Sequence, residues 1–179
     1  MKKEVRISAG ILRGRKILTP GAGTHPMGKR ERLALFNMIT PHLVRAEVLD
    51  AFSGSGALGI EAFSRGARHV VFVESAPGAV SVIRENLREL GLLEDSEVFQ
   101  GRVRDFARDF VNLGRKFDVV LADPPYDNFQ VSEVESLTGL VKDGGILVLS
   151  HPEDAPLLSG LVLEKTRTYA RSHISIYVK

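Results

Sequence analysis

The 179-residue chain predicts an α/β fold, a mainly parallel seven-stranded sheet covered by helices and finished by an antiparallel C-terminal hairpin. Three observations predict it. Short apolar runs at 47–52, 69–74, 97–100, 117–122 and 146–150 alternate with segments of helical periodicity, the pattern of βαβ units. Those runs are apolar with little alternation, as expected of strands buried on both faces. The runs at 161–169 and 172–178 follow one another with no helix between them. That spacing closes one sheet edge with a hairpin.

The elements follow in order. Residues 5–7 and 16–18 read as two short strands joined through Gly10 and Gly14, with Arg13, Gly14, Arg15 and Lys16 at or near the tip. Residues 21–26 are loop. From 29 to 39, Leu33, Leu35, Phe36 and Ile39 form a helical stripe with Arg30 and Arg32 projecting outward, and Pro41 stops the helix. Further helices are predicted at 57–65, just after a run of glycines, at 79–90, closed by Gly91, around 103–113, and at 131–140.

Composition bounds the function. With 44% hydrophobic and 26% charged residues, the chain suits a single domain with one core. Cysteine is absent, which excludes disulfides and thiolate metal sites, and the five histidines show no ligand-type spacing, so no metal is expected. No stretch of signal-peptide type follows the start, and no apolar run reaches the roughly 18 residues a membrane span needs. A cytoplasmic protein without membrane contact is expected. Charge is uneven: residues 1–32 hold nine Lys/Arg (Lys2, Lys3, Arg6, Arg13, Arg15, Lys16, Lys29, Arg30, Arg32) against Glu4 and Glu31. The rest is acidic, with 15 basic and 20 acidic residues. A basic arm on an acidic body is the footprint of a phosphate-backbone partner.

Two motifs carry chemistry. Asp50-Ala51-Phe52-Ser53-Gly54-Ser55-Gly56 places glycines between a strand and its helix, at the crevice where parallel sheets bind ligands. Glu74, ending the next strand, can accept both hydroxyls of a ribose, and Asp50 can accept from an amino-acid ammonium. Gly54-Ser55-Gly56-Ala57-Leu58-Gly59 also matches the dinucleotide fingerprint, so a nicotinamide or flavin enzyme remains an alternative. Residues 100–103, including Arg102 and Val103, would flank an adenine. The second motif is Asp123-Pro124-Pro125-Tyr126. An acid, two prolines and an aromatic after a buried strand make a stiff corner that can hold a flat ring.

Asp50-x-Phe52-x-Gly54-Ser55-Gly56, Glu74 and Asp123-Pro124-Pro125-Tyr126, in this order, resemble the S-adenosylmethionine-dependent amino-methyltransferases. Arg6-Ile7-x-x-Gly10, Arg13-Gly14-Arg15, the 25–37 segment, Tyr169-Ala170 and Ile176-Tyr177 narrow the resemblance to bacterial small-subunit rRNA guanine-N2 methyltransferases of the RsmD type, across essentially the whole chain. The resemblance implies a Rossmann-like class I methyltransferase fold, with a basic RNA-binding extension at 1–40 and a catalytic core at 46–179. It implies catalysis by Asp123, Pro124, Pro125 and Tyr126, and S-adenosylmethionine bound by Asp50, Phe52, Gly54, Ser55, Gly56, Glu74, Arg102, Val103 and Asp123. Ribosomal RNA, within an assembling small subunit, would meet Arg13, Arg15, Lys16, Arg30 and Arg32 of a monomer. The chain departs from the family at His25 and Met27, where Arg and Thr are usual, at Lys29 and Leu33, which replace acids, and at Arg102, where an acid commonly meets the adenine amine. Two rivals stand beside this reading: a DNA adenine-N6 or cytosine-N4 methyltransferase, and a non-catalytic RNA-binding factor.

Overall fold

The computed structural model describes residues 3–21, 27–169 and 172–179. Lys2, the His25-Pro26 departure and Ala170 lie outside these residues. Strands β1 (Lys3–Arg6) and β2 (Lys16–Thr19) form the antiparallel N-terminal hairpin, and α1 (Lys29–Ile39) follows. The core then runs β3 (Glu47–Ala51), α2 (Ala57–Ser64), β4 (His69–Glu74), α3 (Pro77–Leu90), β5 (Ser96–Gln100), α4 (Val103–Asn112), β6 (Phe117–Ala122), α5 (Val131–Glu135), β7 (Val141–His151), β8 (Val162–Tyr169) and β9 (Ser172–Val178).

The large sheet has the order β5-β4-β3-β6-β7-β9-β8. Its first five strands are parallel, while β9 runs antiparallel to both β7 and β8. Chain order reverses between β3 and β6, so their C-terminal ends flank the switch point where Rossmann-like sheets take ligands. Register aligns those ends: Ala51 pairs with Val73 and Ala122, Glu74 with Gln100, and Ala122 with Leu149.

The two faces bury separate clusters. One holds Ile7 and Ile17 of the hairpin, Leu35, Phe36 and Ile39 of α1, Ile60 of α2, Ile83 of α3, and Ile174 and Ile176 of β9. The other holds Val103, Ala107 and Phe110 of α4 with Leu49, Val120 and Leu147 of the sheet. The N-terminal hairpin and α1 therefore share a core with the sheet rather than folding beside it.

Three expectations are corrected. The helix predicted at 131–140 is α5 followed by a separate 3-10 turn, Thr138–Leu140, because Leu137 and Leu140 turn inward. Strand β7 begins at Val141 instead of 146, crossing Gly144 and Gly145 with a register shift against β6. On α1 the buried stripe is Arg32, Leu35, Phe36 and Ile39, while Leu33 is exposed. Those four positions are i, i+3, i+4 and i+7 of one helical face, and Arg32 holds the first because its partner lies beneath it.

Candidate active site

The loop after β3 is wound tightly onto β4. Phe52 adopts φ 64°, a left-handed conformation that costs a side-chain-bearing residue on the order of 1–3 kcal/mol and concentrates at functional sites. Gly54 follows at φ 55°, and a Cβ placed there would meet nothing within 4 Å. The backbone at Gly54 thus lies open to an approaching ligand. Ser53 Oγ donates to the Asp50 carbonyl at 2.5 Å and accepts the Val73 N–H at 3.0 Å, which ties the loop to both strands. Ser55 is buried, and its carbonyl accepts Asn86 Nδ2 at 3.1 Å. Asn86 also exchanges hydrogen bonds with both backbone groups of Leu18, so α3 links the loop to the N-terminal hairpin. Asn86 escaped the sequence reading because an asparagine within a helical segment gives no signal of what lies across from it.

Three carboxylates gather at this end of the sheet. Asp50 is buried, and its Oδ2 accepts the Gly59 N–H at 2.8 Å in the first turn of α2. Burial pushes its carboxyl well above the ordinary range, the Gly59 bond opposes that, and the charges of Asp123 and Glu74 add to the rise. Glu74 Oε2 accepts the Gly54 N–H and Oε1 the Ala76 N–H, each at 2.8 Å. Ser75 Oγ also donates to Oε1 at 3.4 Å, so of the about four acceptor positions of an ionised carboxylate one stays open to a hydroxyl donor. Asp50 braces the glycine loop and the helix behind it from a buried position, while Glu74 is the more accessible acid. Arg102 is the exposed N-cap of α4, and Val103 opens that helix with its side chain in the second cluster. Amides of a helix's first turn lack intrahelical acceptors, so a backbone donor stands at Val103.

Across the switch point, Asp123 follows β6 and is half-buried. Burial pushes its carboxyl up to about 6, against a hydrogen bond from Ser150 and with a further push from the charge of Glu31 on α1. Pro124 is buried, Pro125 is exposed, and the Pro124 carbonyl receives no hydrogen bond among the described residues. Tyr126 begins a 3-10 turn, Tyr126–Asn128, and its hydroxyl bonds to Ser150 Oγ. Burial raises its phenol pKa, and Ser150 and Ser172 are its hydrogen-bond partners. Ser150, the residue after the one that pairs with Ala122, therefore holds both ends of the corner. It was missed because a serine at a strand end carries no motif.

The basic residues divide. Arg13 and Arg30 are exposed and make no ion pair among the described residues. Arg15 is exposed and donates to the Glu89 carbonyl at 3.1 Å, and Lys16 pairs with Glu4 at 2.6 Å. Arg32 does not project outward: it is 3% exposed, lies 3.7 Å from Glu61 and donates to the Arg6 carbonyl at 2.9 Å. Glu61, itself fully buried, also receives Arg65 at 3.0 Å and the N–H groups of Ser8 and Ala9 at 2.8 and 3.1 Å. Arg32 is thus part of the joint between hairpin, α1 and α2. Among the described residues, no group of three His, Asp or Glu side chains forms a metal site, and no helix is long and apolar enough to cross a membrane.

The family model described as Conserved hypothetical protein 95 matches residues 5–178. The chain belongs to this family. The Ribosomal RNA small subunit methyltransferase D of Haemophilus influenzae is 36% identical over 174 residues, 92% of this chain and 90% of its own length. The enzyme of the same name from Escherichia coli K12 is 34% identical over 145 residues, 80% of this chain and 70% of its own. Among solved structures, a hypothetical protein of Thermus thermophilus superposes with a TM-score of 0.85 at 35% identity, covering 98% of this chain and 99% of its own. The resemblance drawn from the motifs is borne out over nearly the full length of the chain.

Proposed function

We propose that the chain is an S-adenosylmethionine-dependent rRNA methyltransferase that modifies the exocyclic N2 amine of a guanine in small-subunit ribosomal RNA. The observation that carries this is the placement of the Asp123–Tyr126 corner on β6, directly beside the glycine loop of β3 and across the switch point from Glu74. Relatives named as small-subunit rRNA methyltransferases support the substrate class.

The residues fit the cofactor. Gly54 leaves its backbone open, Glu74 keeps an acceptor position for a ribose hydroxyl, and the first-turn amide at Val103 offers a donor for an adenine. Asp50 holds the loop from below, Phe52, Ser55 and Gly56 shape it, and Arg102 lies at the rim. When bound, the cofactor supplies an electrophilic methyl group.

The protein's work is alignment. An aromatic amine is a weak nucleophile because its lone pair is delocalised into the ring. The Asp123 carboxylate accepts one amine N–H and the Pro124 carbonyl the other, which favours a pyramidal nitrogen with its lone pair aimed at the methyl donor. Tyr126 stacks on the base, as aromatic side chains do in enzymes that take a base out of its helix, and Ser150 fixes the ring through its hydroxyl. Pro125 stiffens the turn. Such positioning supplies several kcal/mol of the barrier reduction. Residues 1–40 act as the RNA-binding extension of the 46–179 core, with Arg13, Arg15, Lys16 and Arg30 on phosphates. Their role is positioning, since phosphate contacts carry no base information. The deciding experiment is methyl transfer from labelled S-adenosylmethionine to small-subunit rRNA, with the modified nucleotide mapped. Label on N2 of a single guanine is expected, whereas label only on DNA, or none, overturns the reading.

A further inference from the structure

Strand β8 is the outer edge of the sheet, and residues 162–168 are exposed. Pairing with β9 decides which way its side chains point. Lys165 lies opposite Ile176 and Arg167 opposite Ile174, and directly opposed residues share a face. Ile174 and Ile176 belong to the cluster that also packs α1 and the N-terminal hairpin. Ser150 lies opposite Ile174 on the other side of β9, so the hydroxyl that holds the Asp123–Tyr126 corner is on this face too.

A row therefore leaves the corner along the edge. Tyr169 stands at its top, opposite Ser172, partly buried against the same cluster, and its phenol is influenced by the charges of both Glu31 and Arg167. Arg167 and Lys165 follow at every second position, about 7 Å apart along the strand. Both are exposed, and neither makes a hydrogen bond or ion pair among the described residues. The opposite face of the strand is uncharged at the same level, where Thr166 bonds to Ser175 and Thr168 to His173. Lys29 and Arg30 of α1 extend the positive charge on the same layer, and they are likewise exposed. The acids nearby are Glu31, which accepts the Gly28 N–H at 3.0 Å, and Glu164 at the register shift of β8.

We propose that Tyr169, Arg167 and Lys165 form a track for a single-stranded RNA backbone, leading from the base-binding corner to the sheet edge. This surface is distinct from the N-terminal hairpin, and it rests on the reading of the chain as an RNA methyltransferase. Unneutralised cations on one face of an edge strand add little to the fold, and their continuity with the corner selects RNA over an unrelated acidic partner. Two phosphate contacts to single-stranded RNA predict a salt-dependence slope of about 1.4, at about 0.7 each.

The test is the double reversal Lys165→Glu/Arg167→Glu beside a control reversal, Arg108→Glu/Lys116→Glu, located on the opposite layer and the opposite end of the sheet. Calorimetry with S-adenosylmethionine should give the same affinity for all three proteins. With small-subunit rRNA in about 0.1 M salt, the Lys165/Arg167 variant should raise KM by roughly tenfold or more, keep kcat within about twofold, and flatten the log–log salt slope by about 1.4. The control should match the unaltered protein. An unchanged KM and slope in the Lys165/Arg167 variant, with an active parent enzyme, overturns the track alone. A parent enzyme that binds the cofactor but leaves rRNA unmethylated overturns the reading beneath it.

Discussion

The two ends of the parallel sheet treat their carboxylates in opposite ways. At the N-terminal end, Glu47 accepts Arg68 at 2.7 Å and Lys142 at 3.2 Å, Asp118 accepts Lys142 at 3.0 Å, and Glu97 receives Arg115 and His69. Burial acts to raise Glu47 and Asp118, but Lys142 and Arg68 overcome it at Glu47, and at Asp118 a 2.8 Å hydrogen bond from the Glu47 N–H together with Lys142 does so; Arg115 does the same for Glu97. At the C-terminal end, Asp50 and Asp123 are raised by burial, and neither is paired with a cation among the described residues. Cavities of about 240 and 380 Å³ open at the N-terminal end, among residues such as Asp118, Asp143, Arg68 and Glu97. Carboxylates kept short of cations retain acceptors for a ligand, which suits the C-terminal end to the site proposed above.

The largest effect should come from removing one such acid. Asp123→Ala is expected to lower kcat by about a thousandfold or more, within the range of a group acting directly on the reacting proton or nitrogen. Retained activity would move the chemistry away from the corner. Next is a carboxylate that is buried and also paired. Arg32→Ala should destabilise the fold by about 3 kcal/mol, read as a shift in the urea midpoint, since it strips one cation from the fully buried Glu61. Arg30→Ala should leave that midpoint within about 0.5 kcal/mol.

The pH profile tests the same contrast on the intact enzyme. Asp123 is the stronger acceptor for an N–H when ionised, and its pKa lies at about 6 rather than in the ordinary carboxylate range. Below that value kcat/KM should fall about tenfold per unit, and above it the profile should level; a flat profile from pH 5 to 8 removes the carboxylate from the mechanism. The sign for stability is opposite to that of a salt-bridged acid. A raised Asp123 pKa means that the folded state holds its proton longer, so this group costs stability as pH rises from about 4 to 6. The smallest effect belongs to the paired end. Lys142→Ala should cost under about 1 kcal/mol, since these half-exposed pairs are screened by solvent, and should leave methyl transfer unaltered.

Much of this was legible in the chain. Strands β4 and β6 and helix α1 have the bounds that periodicity predicted. The glycine loop and the Asp-Pro-Pro-Tyr corner fell at strand ends, as their turn chemistry required. These are local properties: apolar runs, helical spacing and restricted φ angles act over a few residues, so the sequence determines them. What the tertiary structure decided is which polar group faces which. Arg32 reads as an exposed helical cation until Glu61, 29 positions later, lies under it. That the Gly59 N–H takes one oxygen of Asp50 shows only once α2 is folded behind β3. Ser150 acquires meaning only when β7 is laid beside β6 and its hydroxyl reaches Tyr126. Charge pairing and burial depend on contacts between distant segments, and no local pattern encodes them.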